Sequence, residues 1–205
     1  MEFSGTIMER ATWGIEDEPN DRQELKDYFK LINRPGMDEL LGHLSTNGYF
    51  TAPSSSQYHG CYEGGNLNHS LLVTETLLKL RSALQSDVSV ESCIVCGMFH
   101  DLGKAGYYNK PNYIPNLLKS GKLSDSKPYS TNPDRLPIPH QVASIHILSR
   151  YIELSEEETY AILYHNGLYT PDGRLISGKE TPLLMLLHWS DMYASRFLEV
   201  DKKGE

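Results

Sequence analysis

"MFHDLGKAG", residues 98–106, places a histidine and an aspartate side by side at the end of the apolar run Ile94–Phe99. An ionised carboxylate in apolar surroundings costs several kcal/mol unless it is paired or bound to a metal. One reading is a helix end that reaches solvent, with Gly103 as its C-terminal stop. The other is a metal site, and then the rest of the chain must supply further ligands.

Polar residues on apolar helical faces are the candidates. The spacing predicts helices over about 66–84, 89–101 and 140–151. A fourth opens at a Ser155–Glu158 capping box and closes at Gly167, and a fifth runs from Thr181–Pro182 to about 199. His69 heads a stripe containing Leu72, Val73, Thr76, Leu77 and Leu80. His140 lies under Ser144 and Ile147, and His165 follows Ala161 and Ile162. Asp191 shares its stripe with Leu184, Leu187, Ala194 and Leu198. Any one of these is more often a satisfied core or boundary residue. With His100 and Asp101 they make four histidines and two aspartates, all facing inward on five predicted helices. Core packing alone does not produce that coincidence.

Upstream, two short helices are predicted over 22–32 and 37–47, separated by the breaker "NRPG". The loop "GYFTAPSSSQYHGCYEGGN" follows. Residues 105–138, rich in proline and tyrosine, form a long irregular insertion of the kind that makes lids or binding loops. "TPDGRLISGKET", residues 170–181, reads as a turn or short hairpin with Asp172–Gly173 at its tip. The expectation is one all-α domain over 1–205, with a helical N-terminal extension (1–50) ahead of a core at 58–199.

Composition narrows the function classes. The chain has 205 residues and a net charge of -8, which disfavours a long duplex nucleic-acid surface. No apolar run approaches the ~20 residues of a membrane span. The acidic N-terminus lacks the apolar core of a signal peptide, so cytoplasmic residence without a membrane partner is expected. Cys93 and Cys96 form C-x-x-C, which could be redox-active, but no βαβ pattern surrounds them and they read as packing residues.

The ordered set H…HD…H…H…D, with "YHGCYEGGNLNHS", "HDLGK" and "LLHWSDMYASR", resembles the HD-domain superfamily of metal-dependent phosphohydrolases from about Tyr58 to Phe197. It is most similar to the HD domain of bacterial 3′–5′ exoribonucleases. The resemblance implies an HD-domain helical bundle holding two divalent transition-metal ions (Mn, Fe, Ni, Co or Zn). His69, His100, Asp101 and Asp191 would hold one, with Asp101 bridging to a second on His140 and His165. Two such ions clamp the attacking and leaving oxygens of a phosphoryl centre. Asp101 is then catalytic, and Lys104 contacts a phosphate oxygen; without the resemblance, Lys104 reads equally well as a solvated surface lysine. His59 and Arg135 are substrate-binding candidates, and Lys110 with tyrosines 107, 108, 113 and 129 could bind phosphate or stack bases. Loop decoration is the plainer reading of each. His188 suits a supporting role and His146 points to a different helix face.

The expected function is a two-metal phosphodiesterase acting on nucleic-acid ends, small oligonucleotides or cyclic nucleotides, with a nucleotide or short nucleic acid as partner. One alternative is a nucleotide phosphohydrolase. Such enzymes typically lack ligands corresponding to His140 and His165, and one branch has a glutamate soon after HD, where Leu102, Gly103, Lys104 and Ala105 stand here. Mixed-valence di-iron oxygenases share the fold and ligand order and are the other alternative. A non-catalytic module is disfavoured because no ligand position is lost.

Overall fold

The computed structural model describes residues 25–167 and 170–199. Helix α1 spans Met37–Leu44, α2 Gly65–Ala83, α3 Val90–Phe99, α4 His140–Leu148, α5 Glu156–Tyr164 and α6 Pro182–Tyr193. Residues 25–30 are also helical, ending before Leu31 and Ile32 of the predicted 22–32; residues 22–24 lie outside the described residues, as does the extension before them. The starts follow local chemistry. The Ser89 hydroxyl accepts from Ser92 N–H, Ser155 and Glu158 form the reciprocal capping box, and Thr181 accepts from Leu184 N–H ahead of Pro182. Each such cap stabilises its helix by about 1 kcal/mol.

The long helix α2 packs on α3 and α6, and α5 packs on α6 and α4. Val73, Leu77, Ile94, Phe99, Leu148, Ile162, Leu184 and Leu187 fill the core between them. Residues ahead of α2 share this core: Phe29 stacks on Phe99, and the Tyr49 hydroxyl donates to the Met98 carbonyl at 2.7 Å. Cys93 and Cys96 are buried free thiols whose pKa burial raises, Cys93 to about 12, which suits packing.

Three readings of the sequence need correction. α3 ends at Phe99, and Gly103 is not its stop. The chain tightens into a 3-10 turn at Leu102–Lys104, and Gly103 allows close approach, since a Cβ there would lie 2.1 Å from the His140 carbonyl oxygen. The Gly103 N–H donates to the Ser144 hydroxyl, which donates to that same carbonyl. This joins α4 to the turn that carries Asp101. Residues 170–181 form no hairpin: Pro171–Ile176 is a 3-10 turn that buries Ile176, and Pro171 has no N–H to give a strand ladder. The insertion is less irregular than expected. β1 (Gly106–Tyr107) pairs with β2 (Lys110–Pro111), and β3 (Tyr113–Pro115) with β4 (Tyr129–Thr131), both antiparallel. The fold remains predominantly helical.

Candidate metal centre

The side chains predicted to face inward meet at one point, the carboxylate of Asp101, which is 1% exposed. His140 Nε2 and His165 Nε2 lie 3.2 and 3.7 Å from its Oδ1. His69 Nε2 and His100 Nε2 each lie 3.5 Å from its Oδ2. Asp191 Oδ1 is 3.2 Å from His69 Nε2. Helix α2 delivers His69, the end of α3 delivers His100, the start of α4 His140, the end of α5 His165, and α6 Asp191.

Backbone carbonyls set the rings. His100 Nδ1 donates to the Gly97 carbonyl at 2.9 Å and His165 Nδ1 to that of Ile162 at 2.8 Å. With the proton on Nδ1, each Nε2 presents a lone pair to the cluster. His188 supports from behind, its Nδ1 donating to the His165 carbonyl at 2.8 Å. Its ring sits where a Cβ on Gly167 would lie, 2.5 Å from Cε1, and Gly167 itself has φ +57.

The arrangement fits a cation. His69 and His100 bring their Nε2 atoms within 3.3 Å of each other, and His140 and His165 within 3.4 Å. Facing lone pairs repel unless a proton or metal lies between them. Asp101 Oδ1 is buried without a hydrogen bond. An orphaned buried carboxylate oxygen costs several kcal/mol, which a metal removes. One lone pair has a partner within the chain: the Asn166 amide lies 3.2 Å from His165 Nε2.

Electrostatics agree. Burial opposes ionisation of Asp101, but Lys104, His100 and His140 hold it well below the usual carboxylate range. Asp191 is depressed likewise, against burial, by His69 and then His100. Burial alone would lower His69, yet Glu199 and Asp191 push it up to about 10. The acidic side chains therefore call for positive charge at this spot. Burial and the neighbouring His100 push His165 down to about 3, leaving a neutral ring suited to ligation.

The remaining candidates are placed as follows. Lys104 Nζ turns back to donate to Asp101 Oδ2 at 2.6 Å. His59 lines the adjoining cleft with its ring 5.2 Å from that of His69, and burial with His69 pushes it down to about 4. Arg135 lies apart. Its guanidinium donates to the Gly103 carbonyl at 3.0 Å and covers the Tyr107 ring, and it lines neither of the two large cavities beside the site. His146 accepts or donates with the Tyr107 hydroxyl at 3.0 Å, away from the cluster. The cleft over the centre has a volume of about 710 Å³ and is lined by Lys104, His59, Asn166, Asp191, Arg196 and Glu199, among others.

Glu199 is the residue that sequence reasoning missed. Its Oε2 takes the Nδ1 of His69 at 2.7 Å, a carboxylate behind an imidazole that fixes ring and tautomer. In an ideal α-helix it would stand about 80° from Asp191. A π turn over Ala194–Leu198 absorbs one residue and returns Glu199 to the face of Asp191.

The HD domain family matches residues 66–194. The chain belongs to the HD-domain family. No curated protein and no solved structure matches the chain significantly. HD-domain proteins are metal-dependent phosphohydrolases that bind divalent ions, in keeping with the buried His/Asp groups His69–His100–Asp101 and Asp101–His140–His165. All six residues of the constellation lie inside the matched span, whereas His59 and Glu199 lie outside it. Among the described residues, no helix is long and apolar enough to cross a membrane.

Proposed function

We propose that this HD domain is a two-ion phosphodiesterase acting on nucleic-acid ends or on small linear or cyclic oligonucleotides. One observation carries the reading: the two oxygens of a single carboxylate, Asp101, face two different histidine pairs. On this reading His69, His100, Asp101 and Asp191 hold one ion, and His140 and His165 hold the other with the shared Asp101. The mixed imidazole and carboxylate donors suit Mn, Fe, Co, Ni or Zn. Bound divalent ions supply Lewis acidity toward a phosphoryl oxygen and make water a competent nucleophile near neutral pH.

The chain's own side chains do the rest. Lys104, anchored on Asp101, offers its ammonium to a phosphate oxygen and stabilises the charge that develops there. His59, on the cleft wall, is suited to meet the leaving oxygen. Glu199 and the carbonyls of Gly97 and Ile162 hold the ligand rings in place through the reaction. Among the described residues, Lys104 and Arg196 are the cations of the cleft, and on a chain of net charge -8 they favour a short substrate over a long duplex.

Metal analysis combined with hydrolysis assays tests the reading. Manganese-loaded protein is expected to bind two ions per chain and to cleave a dinucleotide faster than a mononucleotide. His140→Ala or His165→Ala should lose one ion and most of the activity. Saturation at one ion with both histidines dispensable overturns the proposal. So does oxygen uptake by iron-loaded protein that hydrolyses no phosphate ester.

A further inference from the structure

A second cavity, of about 820 Å³, lies on the other side of Lys104, which lines both it and the cleft over the metal centre. Its volume is within the range of small-molecule sites. Tyr107, Tyr108, Tyr113 and Tyr129 contribute to its walls, and among the described residues Lys104, Lys110 and Arg150 outnumber the one acidic residue, Glu63. This is a cationic, aromatic chamber on an acidic protein.

Tyr108 is the most telling member. β1 and β2 are joined by Tyr108 and Asn109 alone, with φ 50 and 58. A two-residue turn with both φ values positive selects glycine, asparagine or aspartate. Asn109 obeys that rule and Tyr108 does not. A tyrosine in the left-handed region is strained, and this one is 71% exposed, its ring held by Tyr107 and by stacking on His146 at 6.1 Å rather than by burial. The turn is braced from behind. Tyr107 packs edge-on against Tyr108 at 4.6 Å, its hydroxyl meets His146, and Arg135 covers its ring while bonding to the Gly103 carbonyl. A strained aromatic held on a rigid support beside cationic side chains is the composition of a base-stacking platform.

We infer that this second cavity binds the base and sugar of a nucleotide whose phosphate is held by Lys104, with Tyr108 as the stacking face. The inference rests on the phosphodiesterase reading for the nature of the substrate, and it adds where the non-reacting part of that substrate lies. Arg135 then acts as a positioning residue for the platform, joining it to the turn that carries Asp101.

Calorimetric titration of metal-loaded protein with AMP and with ribose 5-phosphate tests it. The two ligands share a sugar phosphate and differ by the base. Wild type is expected to bind AMP roughly 10-fold or more tighter, the effect of stacking one base. Tyr108→Phe should keep that preference and Tyr108→Ala should lose most of it. Tyr108→Asn should lose it too, with a Tm no lower than wild type, because asparagine accepts the backbone conformation. Equal binding of the two ligands by wild type, or an AMP preference retained in Tyr108→Asn, overturns the inference. Dinucleotide hydrolysis by wild type is read separately. A protein that prefers AMP but cleaves no phosphodiester supports the chamber and defeats the proposed reaction, whereas one that cleaves without preferring AMP does the reverse.

Discussion

Arg34 and Glu158 meet across 124 residues with their charges answered. The guanidinium donates to both carboxylate oxygens, at 2.8 and 2.5 Å, and to the Glu153 carbonyl, while Glu158 also accepts from Ser155 N–H as part of the capping box. Asp101 is as deeply buried as Glu158, both at 1% exposure, but its surroundings differ. Histidine Nε2 atoms face one another, Asp101 Oδ1 has no hydrogen bond, and the Lys104 ammonium pairs with the other oxygen, Oδ2. The first group is complete as it stands and serves the fold. The second leaves its donor atoms converging on space that a cation would fill. Incomplete satisfaction distinguishes a buried polar group built for a ligand from one built for stability.

Substitution should separate the two regions. Asp101→Ala is expected to lower phosphodiester turnover on the order of 10³-fold or more, since both histidine pairs lose their shared oxygen donor. Its Tm should fall further in metal-loaded than in chelated buffer. Substantial residual turnover would remove the distinction. Arg34→Met should act the opposite way, destabilising by about 3 kcal/mol because it leaves Glu158 buried and unpaired, with turnover per folded molecule retained. Denaturant unfolding alongside activity assays measures both.

Glu199→Gln gives a smaller effect. The amide can still meet His69 but carries no charge, and metal affinity should fall about 10- to 100-fold, read by competition with a metallochromic chelator. Undiminished affinity would make Glu199 a packing residue. The smallest effect concerns acid. Burial raises the pKa of Glu158, but the Arg34 and Ser155 hydrogen bonds outweigh it and the net shift is downward. A depressed carboxylate binds fewer protons folded than unfolded, so its stabilisation is present above the unfolded value of about 4.3 and is lost as pH falls through the lower folded value. The stability gap between wild type and Arg34→Met should therefore narrow below about pH 4. A constant gap would show that charge pairing is not its source.

Much of this was legible because helical periodicity reports burial. His69 and Asp191 stand on apolar stripes and the structure brings them within 3.2 Å of each other; Ser155–Glu158 and Thr181–Pro182 are local capping signals, and both caps form. What was not legible depends on departures from that periodicity or on distant partners. The π turn rephases Glu199, so a regular helical projection puts it on another face. The pairing of Arg34 with Glu158 has no local signature at all. Pro171–Ile176 shows the turn chemistry of a hairpin, yet burial of Ile176 and the missing proline donor make it a 3-10 turn. In the insertion, proline and tyrosine content announced a loop but not the two antiparallel strand pairs within it.

The contact at Gly103 has a consequence for tolerance. The histidines of the two pairs come from separate helices, and their mutual spacing is gauged by backbone touching backbone where α4 rests on the Leu102–Lys104 turn. A missing side chain, not a ligand, calibrates that distance. A single methyl group at residue 103 would act as a shim, lifting His140 away from Asp101 while leaving every donor chemically intact. Two otherwise identical donor sets could then differ in how many ions they hold, through a position that supplies no donor atom.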